Sequence, residues 1–139
     1  MKTKVLTSVI LILVALSSCS EQKESSKLLG TWKLLSYQYG DNETKIVPDS
    51  LQYIKIISTT HFTWVHFKAT NKIVFNSAGG RYKLDGENYI ETIDFGGIGM
   101  MKYFGKDQTF KIKLEDQKMY LSGSLSDNLK IEEVWTRLE

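Results

Sequence analysis

Residues 108–138 read QTFKIKLEDQKMYLSGSLSDNLKIEEVWTRL, three runs of alternating apolar and polar residues separated by two short polar breaks. Alternation at period two marks a strand with one buried face, because successive side chains point to opposite sides of a sheet. Asp116-Gln117 and Ser126-Asp127-Asn128 carry turn chemistry at hairpin length. With Asp116-Gln117 at the turn, Leu114 faces Met119, Ile112 faces Leu121 and Phe110 faces Gly123. The loop 126–128 then sets Leu125 beside Leu129, Gly123 beside Ile131, Leu121 beside Glu133 and Met119 beside Trp135. These apolar residues all fall on one face, so the pattern predicts the register as well as the strands.

Upstream the same alternation recurs, and no window of residues 28–139 shows a sustained helical stripe. Strands are expected at 29–39, 51–58, 61–68, 72–84 (with Gly79-Gly80 as a bulge), 88–95, 108–115, 118–125 and 129–138. Asp85-Gly86 reads as a two-residue hairpin turn, and the lone proline, Pro48, lies in a polar loop where it removes no ladder hydrogen bond. Residues 96–107, GGIGMMKYFGKD, break the pattern and predict a longer loop with one helical turn at Met100–Phe104. Eight antiparallel strands in one domain must bury a face without leaving sticky edges. An up-and-down barrel does so by closing on itself, and at eight strands it has room for one small ligand. A two-sheet sandwich of the same strands is the alternative.

The chain of 139 residues has 18 Lys+Arg and 16 Asp+Glu. Lys2 and Lys4 precede an apolar run, so residues 19–139 hold 16 basic against 16 acidic residues and are neutral overall. A neutral body argues against a nucleic-acid partner held by phosphate neutralisation. One cysteine excludes an internal disulfide, a CxxC pair and a zinc knuckle. The run itself, MKTKVLTSVILILVALSSC at residues 1–19, has a charged start, an apolar stretch from Val5 to Leu16 and small residues before Cys19. That is the three-part pattern of a secretory signal, expected over residues 1–18. It is shorter than the roughly 20 apolar residues that span a bilayer.

Leu16-Ser17-Ser18-Cys19 resembles the lipobox of bacterial lipoproteins. The resemblance implies cleavage before Cys19, a diacylglycerol thioether on its sulfur, and an acyl chain such as palmitate on its amine. Two or three chains make a stable membrane anchor. Residues 19–27 would then be the lipidated cysteine and a flexible tether. The implied location is the cell envelope of a Gram-negative bacterium, in the outer membrane because position 20 is not Asp, facing the periplasm or the surface. Within the body, Gly30-Thr31-Trp32 and Arg137 resemble the lipocalin signature, in which a late arginine packs over a first-strand tryptophan and closes the barrel floor. STTHFTWVHF (58–67), GGRYKLDGENYIETIDF (79–95) and KIEEVWTRLE (130–139) look like a family of small lipocalin-like bacterial lipoproteins of unknown ligand. The resemblance implies an eight-stranded lipocalin-like barrel over residues 28–139. The chain lacks the disulfides and long N-terminal coil of many secreted lipocalins, so pocket size and ligand class do not carry over.

Catalytic and metal-binding patterns are missing from the inventory. His61 and His66 are five apart on one strand and so point to opposite faces, which leaves no tight metal set. No GxSxG, P-loop or dinucleotide fingerprint occurs, and Gly96-Gly97-Ile98-Gly99 opens no clear helix. Neither an enzyme nor a cofactor is expected. Glu91 and Glu133 lie in rows that otherwise face inward (Tyr89, Glu91, Ile93, Phe95 and Ile131, Glu133, Trp135). Inward acids serve as ligand anchors, as a general acid/base pair, or as structural groups satisfied by a buried Lys, Tyr or water, unless a bulge turns them outward. Trp64 shares a face with Phe62 and His66, and Tyr37, Tyr39 and Tyr53 add rings. The candidate ligand contacts are therefore Trp64, His66, Tyr89, Glu91 and Glu133; if Val65 and Phe67 face inward instead, Trp64 and His66 leave the set. Ile98, Met100, Met101, Tyr103 and Phe104 in a surface loop call for a lid, a partner contact or a membrane contact. The expected function is a carrier of a small, largely apolar molecule. The alternative is a non-catalytic envelope interaction module, an inhibitor or accessory subunit, with a filled core.

Overall fold

The computed structural model describes residues 26–139. The expected signal peptide, Cys19 and the tether up to residue 25 lie outside the described residues. Antiparallel strands follow in chain order: β1 (Gly30–Tyr39), β2 (Lys45–Ile46), β3 (Leu51–Ile57), β4 (His61–Lys68), β5 (Val74–Asp85), β6 (Asn88–Gly96), β7 (Asp107–Glu115), β8 (Lys118–Ser124) and β9 (Lys130–Arg137). From β3 onward each strand pairs with the next, β3 pairs with β1, and β9 returns to β1. The result is a closed eight-stranded antiparallel barrel, not a sandwich. The short β2 is an extra strand on the edge of β1 that β3 leaves free beyond Lys33. Its two residues are too few to show a period.

The last three strands take the register expected from their alternation. Leu114 pairs with Met119, Ile112 with Leu121 and Phe110 with Gly123, and Met119 pairs in turn with Trp135, Leu121 with Glu133 and Gly123 with Ile131. The β5–β6 turn is displaced by one residue from expectation. Asp85 pairs with Asn88, so Gly86-Glu87 is the turn, because Gly86 takes the left-handed φ of 58° that glycine tolerates best. The expected bulge sits between Gly79 and Gly80, where a Cβ on Gly80 would lie 2.0 Å from the Thr92 carbonyl oxygen. Residues 98–103 form a short 3-10 helix, starting two residues before the expected helical turn.

Inward-facing residues make one core, with Trp32, Leu34, Ile57, Phe62, Tyr89, Met119 and Trp135 among those fully enclosed. A bulge in β1 between Leu34 and Ser36 reverses the side-chain parity of that strand. Trp32 and Leu34 face inward before it, and Tyr37 and Tyr39 face inward after it. The end of the barrel at Trp32 is sealed. The Trp32 indole, 1% exposed, donates to the Leu28 carbonyl at 2.9 Å, and the Arg137 guanidinium lies 4.3 Å from its ring centre. Arg137 also donates to the carbonyls of Leu29, at 2.6 Å, and Lys27.

Candidate functional site

The other end of the barrel opens into a cavity of about 560 Å³. Its depth is set by Lys55, Glu91, Phe110 and Trp135, and its mouth by Lys45, Leu125, Leu129 and the 98–103 turn. One wall is a continuous row of rings across β1, β3 and β4. Tyr39 lies 4.8 Å from Tyr37, Tyr37 lies 6.2 Å from Tyr53, Tyr53 stacks on His66 at 3.9 Å, and His66 lies 4.6 Å from Trp64. Such a wall presents apolar faces at spacings that suit a planar or chain-like guest.

The polar groups of the cavity, on β3, β6 and β9, lie beside these rings. Lys55 Nζ donates to Glu91 Oε1 at 2.7 Å, and the same ammonium faces the rings of Trp135, Phe62 and Tyr89 at 5.1–5.7 Å. Glu133 accepts from Tyr39 Oη at 2.8 Å on one oxygen and from Trp135 Nε1 at 2.9 Å on the other. Burial raises its pKa above the ordinary carboxylate value, the Lys55 charge and those two hydrogen bonds oppose the rise, and the Glu91 charge adds to it. Burial and the Lys55 charge lower the His66 pKa to about 4, so His66 is neutral at pH 7. Tyr39 is raised by burial and by Glu133, and it stays a donor. Gln108, although buried, is committed to the fold: it accepts from the Ser126 amide at 2.7 Å and donates to the Lys106 carbonyl at 3.1 Å.

Of the candidate contacts, Trp64, His66, Glu91 and Glu133 all line the cavity, while Val65 and Phe67 do not. Tyr89 does not reach it. Its ring is fully buried beside Tyr82, at 5.2 Å, and its hydroxyl finds no hydrogen-bond partner among the described residues. Tyr89 shares the inward face of β6 with Glu91 but sits closer to the closed end. His61 is exposed and His66 faces inward, as their odd spacing requires. Lys55 adds a cation outside the expected contact set, carried inward in the row Tyr53, Lys55, Ile57 by the same alternation as the two acids. The 98–103 turn crosses part of the mouth. Tyr103 Oη and Lys102 Nζ both donate to Asp127, at 2.8 and 2.6 Å, while Ile98, Met101 and Phe104 remain exposed outside. Among the described residues no three of His, Cys, Asp and Glu gather as a metal-ligand set.

No curated protein matches the chain in sequence. Among solved structures, the barrel is similar to a lipocalin-like protein from Bacteroides uniformis, with TM-score 0.58 and 20% identity over 81% of this chain and 99% of that one. It is also similar to an uncharacterized protein from Bacteroides eggerthii, with TM-score 0.55 and 21% identity over 78% and 98% of the two chains. A redesigned beta barrel aligns with TM-score 0.53 and 16% identity over 83% and 95%. What these proteins share with the chain is a lipocalin-like fold. The family described as a domain of unknown function, DUF4488, matches residues 27–139, and the chain belongs to it.

Proposed function

We propose that the protein is a non-enzymatic carrier that binds a small, largely apolar molecule inside its barrel and is held to the bacterial outer membrane by lipid on Cys19. The observation that carries the binding role is the cavity of about 560 Å³ with its row of rings. That volume falls within the range of roughly 300–1,000 Å³ in which small-molecule sites are found. Apolar burial at about 25 cal/mol per Å² supplies the affinity, and Glu133 and Glu91 orient a polar group of the guest. Native mass spectrometry and lipid extraction of protein purified from its own envelope test the proposal. A co-purifying small molecule is the expected result. If nothing co-purifies, and tryptophan fluorescence is unmoved by fatty acids, sterols, porphyrins and glycans, the carrier role fails.

The anchor has its own test. Cys19→Ser should yield a soluble, unlipidated protein, and membrane retention of that variant at an unchanged level would refute lipidation. The exposed Ile98, Met101 and Phe104 favour a second reading, an interaction module that meets an envelope partner at the mouth.

A further inference from the structure

Lys45 and Lys102 line the mouth of the cavity, where Lys102 is paired with Asp127, while its depth is unbalanced in charge. Two carboxylates, Glu91 and Glu133, share it with one deep ammonium, Lys55, and Lys55 is paired with Glu91 at 2.7 Å. Among the described residues no ion pair includes Glu133. Both of its oxygens accept hydrogen bonds, one from an indole N–H that can only donate, an arrangement that suits the ionised form. A guest that excludes water from Glu133 leaves its carboxylate only a share of the Lys55 charge already paired with Glu91, which is costly in a low-dielectric site unless the guest itself supplies a cation. An anionic guest adds a second uncompensated charge, and a neutral guest leaves the first in place.

The surroundings favour a cation in a second way. Tyr37 stands opposite Glu133 in the β1–β9 ladder, and Tyr39 and Trp135 hold its oxygens, so ring systems surround the carboxylate. Aromatic faces attract organic cations, and do so more strongly once water is excluded. The neutral His66 adds no competing positive charge. We infer that the guest is an amphiphilic organic cation, its amine or other charged nitrogen received by Glu133 and its apolar body laid along Tyr37, Tyr53, His66 and Trp64. This inference rests on the carrier role proposed above.

Calorimetric titration of the purified full-length chain with naphthylmethylamine, naphthalenemethanol and naphthoate tests it, since the three probes share a ring system and differ in charge. The amine should bind at least about tenfold more tightly than either of the others, and Glu133→Gln should abolish that preference. If the alcohol or the acid binds as well as the amine, the cationic guest is ruled out while the carrier role stands. If none of the three binds and no molecule co-purifies from the envelope, both fall. The three-probe comparison on the unaltered chain is decisive even where Glu133→Gln impairs folding. Retention of the amine preference in a folded Glu133→Gln protein would also overturn the assignment.

Discussion

Lys55 and Glu91 are 36 residues apart in the chain and meet at 2.7 Å inside the barrel, each side chain about 4% exposed. β3 and β6 are not neighbours in the sheet, so the pair joins two walls across the interior. A buried pair of this kind adds little relative to a well-packed apolar pair, but removing one partner strands the other charge.

Lys55→Met should therefore cost about 3–5 kcal/mol of stability, because Glu91 and Glu133 are left without a cation. Lys55→Met combined with Glu91→Gln should recover much of that loss. A double-mutant cycle by urea denaturation measures both effects. If the single and double variants were equally unstable, the charge pairing would not be the source of the loss.

At the sealed end, Arg137→Ala should lower stability by about 2–3 kcal/mol, combining the contact with the Trp32 ring and the charged hydrogen bonds to the carbonyls of Leu29 and Lys27. Arg137→Lys should restore only part of it, since an ammonium cannot lie flat on the indole and also fork to two carbonyls. Thermal unfolding of the three proteins decides between a stacking role and a simple charge effect.

The pKa of His66 lies near 4 in the folded protein against an ordinary value of 6.5. Between those pH values the unfolded chain holds a proton on this residue that the folded chain does not. Stability is therefore fully present above pH 6.5 and falls as pH drops towards 4, by up to roughly 2 kcal/mol after allowance for partial solvent access. Glu133, raised by burial, acts in the opposite direction in acid, so the readout is the difference from His66→Phe. Relative to His66→Phe, the unaltered protein should lose stability steadily as pH falls from 6.5 towards 4; parallel curves would show that His66 titrates normally.

Asp127→Ala should loosen the mouth, since Asp127 alone receives both the Tyr103 hydroxyl and the Lys102 ammonium. Amides of Met100, Phe104 and Gly105, which bond to Gly97, Met101 and Ile93, should then exchange with solvent several-fold faster, while those of β7 and β8 stay unchanged. Uniform protection by hydrogen-exchange mass spectrometry would mean that Asp127 does not hold the turn.

The alternation in residues 108–138 determined three strands and their register, because side-chain parity is a local property and the turns at 116–117 and 126–128 are short enough to leave no choice of pairing. The same parity put Glu91 and Glu133 in inward rows and applies equally to Lys55 in its row with Tyr53 and Ile57, but for residues 61–68 it left either face open and the barrel decided for Trp64 and His66. Other features needed the closed barrel. The β1 bulge reverses parity after Leu34 and brings Tyr37 and Tyr39 into the cavity on the same strand that turns Trp32 and Leu34 inward before it. Depth along the barrel axis removed Tyr89 from the cavity, and the meeting of Lys55 with Glu91, of Tyr39 with Glu133 and of Tyr103 with Asp127 joins segments 24 to 94 residues apart. Parity says which face a side chain takes, but which residues meet across the interior is decided only when β9 closes on β1 and fixes the stagger of every strand.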